Sequence, residues 1–132
     1  LSAIVLPTFQ DHSQQAKEAA AKDNLRILRQ AIERYAAQHN GVPPGYKNDD
    51  PTEMVSSLFF HEQMINSLDY LNEMPENPLS GVQEIHIIAN GNSFPQAPVS
   101  TNSFGWIYKP ATKEIRLNYE GTDLEGKAYW DY

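Results

Sequence analysis

Four histidines, His12, His39, His61 and His86, are spread along a chain that has no cysteine. Zinc sites draw nitrogen and thiolate donors from short, regular spacings, and these histidines fall in segments of different character, so they read as exposed or cap-adjacent polar residues. The lack of cysteine removes thiolate nucleophiles and disulfides without deciding the compartment. Serines are frequent, yet none sits in a G-x-S-x-G elbow, and the glycines are scattered among turns rather than gathered into a phosphate-cradling loop. Oxygen chemistry is what remains. Asp123, Glu125 and Asp131 lie in the glycine-containing stretch "GTDLEGKAYWD", donors of the type Ca²⁺ prefers, although the spacing does not match an EF-hand loop. They are weak calcium candidates beside the reading of a charged, solvated tail, and no other cofactor is expected. A glycosidase-like carboxylate pair could hide among the acids of the second part, but a solvated acidic surface is preferred and the chain is not expected to be an enzyme. The aromatics Phe104, Trp106, Tyr108, Tyr119, Tyr129 and Trp130 could form a sugar platform; their alternation favours sheet core.

The elements that would position these residues follow from periodicity. From Asp11 to His39, Ala21, Leu25, Leu28, Ile32 and Tyr35 step by four and three, with Ile27 and Ala31 beside the stripe, which predicts a helix with one buried face. Gly41 is expected to stop it as a left-handed cap, and Val42-Pro43-Pro44-Gly45 forbids continuation. Such a helix would reach roughly 44 Å at 1.5 Å per residue, more than one core helix of so small a domain needs. Pro7 marks the other boundary, either in the first turn or as a kink, and Leu1, Ala3, Ile4, Val5 and Leu6 ahead of it are apolar all round. A second helix is expected over Pro51 to Leu71, with Met54, Leu58, Met64, Ile65 and Leu68 as apolar positions. "EMPENPLSG" is a rigid connector, "EIHIIA" (Glu84 to Ala89) a strand, and "NGNSFPQAPVSTN" a loop opened by the turn signal Asn90-Gly91. "SFGWIYKPATKEIRLNY" reads as a hairpin, Phe104, Trp106 and Tyr108 alternating on one arm and Ile115, Leu117 and Tyr119 on the other. The order predicts an α+β fold, a long N-terminal α-helix packed on a three- to four-stranded antiparallel β-sheet: residues 1–41 form the helix and 42–132 the globular head.

Net charge is −7 and uneven. Residues 1–41 hold five Lys/Arg against four Asp/Glu, while the remainder holds five against thirteen, an acidic head that disfavours nucleic acid as a partner. No stretch reaches the ~20 apolar residues that span a bilayer. A start at leucine rather than methionine leads us to expect a further segment upstream.

Taken in order, "SAIVLPTFQDHSQQAKEAAAKDNLRILRQAIERYAAQHNGVPP" resembles the N-terminal region of type IV pilins and type II secretion pseudopilins. "YLNEMPENPLSG", and "FGWIYKPATKEIRLN" followed by "GTDLEGKAYWDY", are similar to the later regions of G-type pseudopilins, so the resemblance covers nearly the whole chain. It implies a pilin-like fold and a structural subunit that polymerises through its N-terminal helix. Ahead of Leu1 it implies a processed hydrophobic segment with a methylated first residue and a buried acid. The implied assembly contacts are Leu1, Ile4, Val5, Leu6 and Phe9, with Ala21, Leu25, Leu28, Ile32 and Tyr35 joining the helix to the sheet. The implied partners are further copies of the chain, other pilins or pseudopilins, and an inner-membrane assembly machinery. The implied location is the inner membrane before assembly and a periplasmic or cell-surface filament afterwards. The alternative expectation is a minor, tip-located pilin whose head binds a ligand or receptor through the loop Asn90 to Asn102 and the tail.

Overall fold

The computed structural model describes the backbone of residues 2–67 and 69–132, and side chains from residue 12 onward. Leu68 and the assembly positions Leu1, Ile4, Val5, Leu6 and Phe9 therefore lie outside the described side chains. Helix α1 spans Ser2–Gln38. Its buried stripe, Ala21, Leu25, Leu28, Ala31, Ile32, Tyr35 and Ala36, follows the 3.6-residue period and faces the sheet. Each large apolar member contributes about 1.5–3 kcal/mol through burial.

The C-terminus of α1 differs from the expectation in one detail. Asn40, at φ +57°, is the left-handed capping residue, and Gly41 follows at φ +83°. The Gly41 N–H donates to the Ala36 carbonyl at 2.7 Å, the bond of a Schellman motif in which glycine stands one place beyond the usual position.

The second helix is much shorter than the predicted Pro51 to Leu71. Asp50 Oδ1 accepts from the Thr52 N–H at 2.9 Å and its hydroxyl at 2.7 Å, turning the chain, and an antiparallel bridge pairs Tyr46 with Val55. Only after Ser56, whose hydroxyl accepts the Phe59 N–H, does α2 form, over Ser57–His61. It widens into a π-helical turn over Glu62–Asn66, and the chain beyond it folds back so that the Leu71 N–H donates to the Met64 carbonyl at 3.0 Å. Phe60 and Met64 are the buried anchors, whereas Met54 and Leu58, expected on an apolar face, are 60% and 62% exposed.

Three strands form one sheet in the order β1 (Ile85–Ile87), β2 (Trp106–Lys109), β3 (Glu114–Leu117). The fold is α+β, but the sheet is mixed rather than antiparallel. Strands β2 and β3 are the expected hairpin, turning through Pro110–Thr112, while β1 pairs parallel to β2, with Ile85 opposite Trp106. Parallel pairing needs a crossover of about a dozen residues or more, and the irregular stretch 88–105 supplies it.

That crossover explains a second departure. Trp106 and Tyr108 face α1 with Ile115 and Leu117, but Phe104 does not share their face. It joins Ile88, Ile107, Phe94 and Trp130 in a smaller cluster on the opposite side, so both faces of β2 are covered and "WIY" reads as a continuous apolar run.

Candidate functional site

The residues expected to join helix and sheet, Ala21, Leu25, Leu28, Ile32 and Tyr35, lie together in one core with Trp106, Tyr108, Ile115 and Leu117. At the C-terminal end of this stripe the helix is clamped by polar contacts. Tyr35 donates its hydroxyl to Asp49, Tyr70 donates to Gln38 Oε1 at 2.5 Å, and Arg34 reaches the Asp69 and Tyr70 carbonyls at 3.2 and 3.1 Å. Burial and the Asp49 carboxylate both push the Tyr35 hydroxyl well above its ordinary pKa.

Upstream of Ala21 the environment changes. His12, Ser13, Gln15, Ala16, Lys17, Ala19 and Ala20 are exposed, and the sheet no longer covers the helix. One carboxylate there is buried: Glu18, 7% exposed. Its Oε2 accepts the Tyr129 hydroxyl at 2.6 Å, and that hydroxyl in turn accepts from Gln14 Nε2 at 2.7 Å. Glu18 Oε1 faces the Leu124 N–H at 3.5 Å. Burial, then the Glu18 carboxylate, push the Tyr129 hydroxyl up to about 12. A buried glutamate without a salt bridge is costly unless its oxygens are hydrogen-bonded, and the tail supplies those donors.

The rest of the tail continues this seam. Tyr132 donates to Asp123 Oδ2 at 2.8 Å, its ring lies 4.8 Å from Lys22 Nζ and 5.9 Å from Lys127 Nζ, and its carbonyl accepts from Arg29 at 3.1 Å. Asp123 Oδ1 accepts the N–H groups of Glu125 and Lys127 at 2.9 and 2.8 Å, closing a loop whose base is the Thr122–Ala128 bridge. Burial pushes the Asp123 carboxyl up, but the Lys127 N–H, the Tyr132 hydroxyl, the Glu125 N–H and the Lys22 charge outweigh it and hold the group below its ordinary pKa.

The calcium candidates are thus put to separate uses. Asp123 organises its own loop, Glu125 is exposed beside it, and exposed Asp131 lies 3.8 Å from Arg116. Among the described residues, no group of three or more His, Cys, Asp or Glu side chains is placed to hold a metal ion. The histidines are equally dispersed. His39 stacks on Tyr35 at 3.7 Å, His61 Nδ1 lies 2.7 Å from the Ser57 carbonyl, His86 packs on Phe104, and His12 is exposed.

Concave regions flank α1. An open groove of about 710 Å³ separates the helix, at Asn24 and Ile27, from the segment 69–76 with its carboxylates Asp69, Glu73 and Glu76. A cleft of about 260 Å³ lies beside Glu18, between Ala19 and Leu124.

Several positioning residues carried no periodic signal. Asn77 and Asn118 are fully buried. Asn77 donates to the Gly105 and Asn118 carbonyls, while Asn118 binds Val99 through both its N–H and carbonyl and also reaches the Phe104 carbonyl at 2.8 Å. Together they tie the crossover to β3. Gly105 passes so close to residue 82 that a Cβ would sit 2.1 Å from the Val82 carbonyl oxygen. An isolated Asn or Gly in a loop is only a turn signal in sequence; its packing is set by the tertiary fold.

Among the described residues, no helix is long and apolar enough to cross a membrane. Comparison with known protein families, characterised proteins and solved structures finds no match for this chain.

Proposed function

We propose that the chain is a structural subunit of a type IV pilus-like filament or a type II secretion pseudopilus, with a pilin-like fold and no catalytic activity. The observation that carries this reading is the division of α1. The helix runs for 37 residues, about 55 Å at 1.5 Å per residue, and among its described side chains, from residue 12 onward, the continuous buried apolar stripe runs from Ala21 to Ala36. The exposed stretch ahead of Ala21 continues into the apolar sequence Ala3-Ile4-Val5-Leu6. A sequence of that composition is stabilised by burial, and sister copies or a bilayer would provide it. Assembly would draw on about 25 cal/mol per Å² of apolar area, less the cost of association.

In this reading Leu1, Ile4, Val5, Leu6 and Phe9 contact neighbouring subunits, and the stripe from Ala21 to Tyr35 holds the head. The partners are further copies, other pilins or pseudopilins and an inner-membrane assembly machinery; the subunit is anchored in that membrane and then built into a periplasmic or extracellular filament. The test is Ile4→Asp in the full-length protein in cells. It leaves the head folded and abolishes filaments in electron micrographs; Ile4→Asp filaments of normal length overturn the reading.

A tip-located, ligand-binding subunit is the second reading, and the open groove beside Asn24 and Ile27 favours it. Binding of a surface ligand by the purified protein, lost on substitution in the groove while filament number is unchanged, would support this alternative.

A further inference from the structure

The dipeptide Asn-Gly occurs twice, at Asn40-Gly41 and Asn90-Gly91. In such a pair the glycine amide nitrogen can attack the asparagine side-chain carbonyl, because no Cβ hinders its approach. The attack requires a nitrogen that is free to move. Gly41 does not meet this condition: its N–H is bound to the Ala36 carbonyl at 2.7 Å, and Asn40 is held at φ +57° as the helix cap. Reaction there would require the end of α1 to come apart.

Asn90-Gly91 is arranged differently. Both residues are exposed in the turn after β1, and neither has a positive φ. Among the described residues the Gly91 N–H donates no hydrogen bond, and the space around Gly91 is open. The Asn90 side chain is oriented from two sides. Tyr46 donates its hydroxyl to Oδ1 at 2.6 Å, and Nδ2 donates to the Pro51 carbonyl at 3.0 Å. The Tyr46 hydroxyl draws electron density from the amide carbon and stabilises the negative charge that develops on Oδ1 as the nitrogen adds.

We infer that Asn90 is a site of self-modification, converting through a cyclic imide to aspartate or isoaspartate, and that the fold spares Asn40. The Gly91 nitrogen loses its proton and bonds to the Asn90 side-chain carbon, the bond to Nδ2 breaks, and ammonia leaves. Water then opens the ring on either side. No oxidant or other reactant is needed. The product loses the donor to the Pro51 carbonyl and adds a negative charge to a region that already carries Asp49 and Asp50. Aspartate keeps the Tyr46 bond, whereas isoaspartate lengthens the backbone of the turn. Either product loosens the tie between the crossover and the 46–51 loop, whatever the filament role of the chain.

The test is peptide mapping by mass spectrometry after prolonged incubation of the folded protein at mildly alkaline pH, with a urea-unfolded sample alongside. In the folded protein the Asn90 peptide gains the mass of an amide-to-acid conversion while the Asn40 peptide does not; unfolded, both convert at comparable rates. Gly91→Ala, which has room for its Cβ and an ordinary φ, keeps the fold and slows conversion on the order of tenfold. An unmodified Asn90, an Asn40 that converts equally fast in the folded protein, or an unchanged rate in Gly91→Ala would each overturn the inference.

Discussion

From Ala21 to Ala36 the helix α1 lies against the sheet through a continuous apolar stripe, whereas from His12 to Ala20 its one buried side chain is Glu18, held by the tail. The two stretches share a backbone geometry and differ in how they are stabilised. The first depends on area removed from water, which is non-directional and accumulates over many residues. The second depends on a few directional bonds, chiefly Tyr129 to Glu18 and Tyr132 to Asp123, each with a modest net contribution. A helix so divided can remain folded on the head at one end while its other end stays open to further burial.

Substitutions should separate the two stretches sharply. Leu28→Asp places an unpaired charge in the core and costs more than about 4 kcal/mol, unfolding the head in a circular dichroism melt. Ala16→Asp, on the exposed stretch, changes stability by no more than about 0.5 kcal/mol. Equal effects of the two would erase the distinction. Gly105→Ala drives a Cβ into the Val82 carbonyl and costs about 3 kcal/mol by denaturant titration, with both apolar clusters affected.

Tyr129→Phe removes the hydroxyl shared by Gln14 and Glu18. It costs about 1–2 kcal/mol, and the loss is concentrated in residues 12–20, as read by hydrogen exchange. The smallest effect concerns pH. Because Asp123 has a folded pKa below its unfolded one, its contribution is complete above the unfolded value and is lost as pH falls through the folded one. Tyr129 behaves oppositely: its folded pKa is raised to about 12, so its contribution is complete below an unfolded value of 10.0 and is lost as pH rises toward 12. Asp123→Asn should flatten the acid limb of a stability–pH curve and, because the Asp123 carboxylate also helps to raise the Tyr132 and Tyr129 hydroxyls, flatten part of the alkaline limb as well.

Periodicity made the stripe from Ala21 to Tyr35 and the β2–β3 hairpin legible, because each depends on local spacing of apolar residues. The mixed sheet was not legible. β1 is three residues long, and its partner lies beyond a crossover, so neither its direction nor Phe104's departure from the Trp106–Tyr108 face follows from alternation. The second helix was overextended because Met54 and Leu58 fit a helical period that the Asp50–Thr52 turn and the Ser56 cap interrupt. Glu18 illustrates the limit at the seam: its spacing from Lys22 suggests a surface ion pair, while its actual partner is Tyr129, more than a hundred residues away.

Hydrogen exchange along α1, in the free full-length subunit and in its filaments, tests the division of the helix most directly. Amides from Ala21 to Ala36 should be strongly protected in both, while those of residues 12–20 are less protected in the free subunit and gain protection on assembly. Equal protection along the whole helix in the free subunit, or no gain in residues 12–20 within filaments, would contradict it.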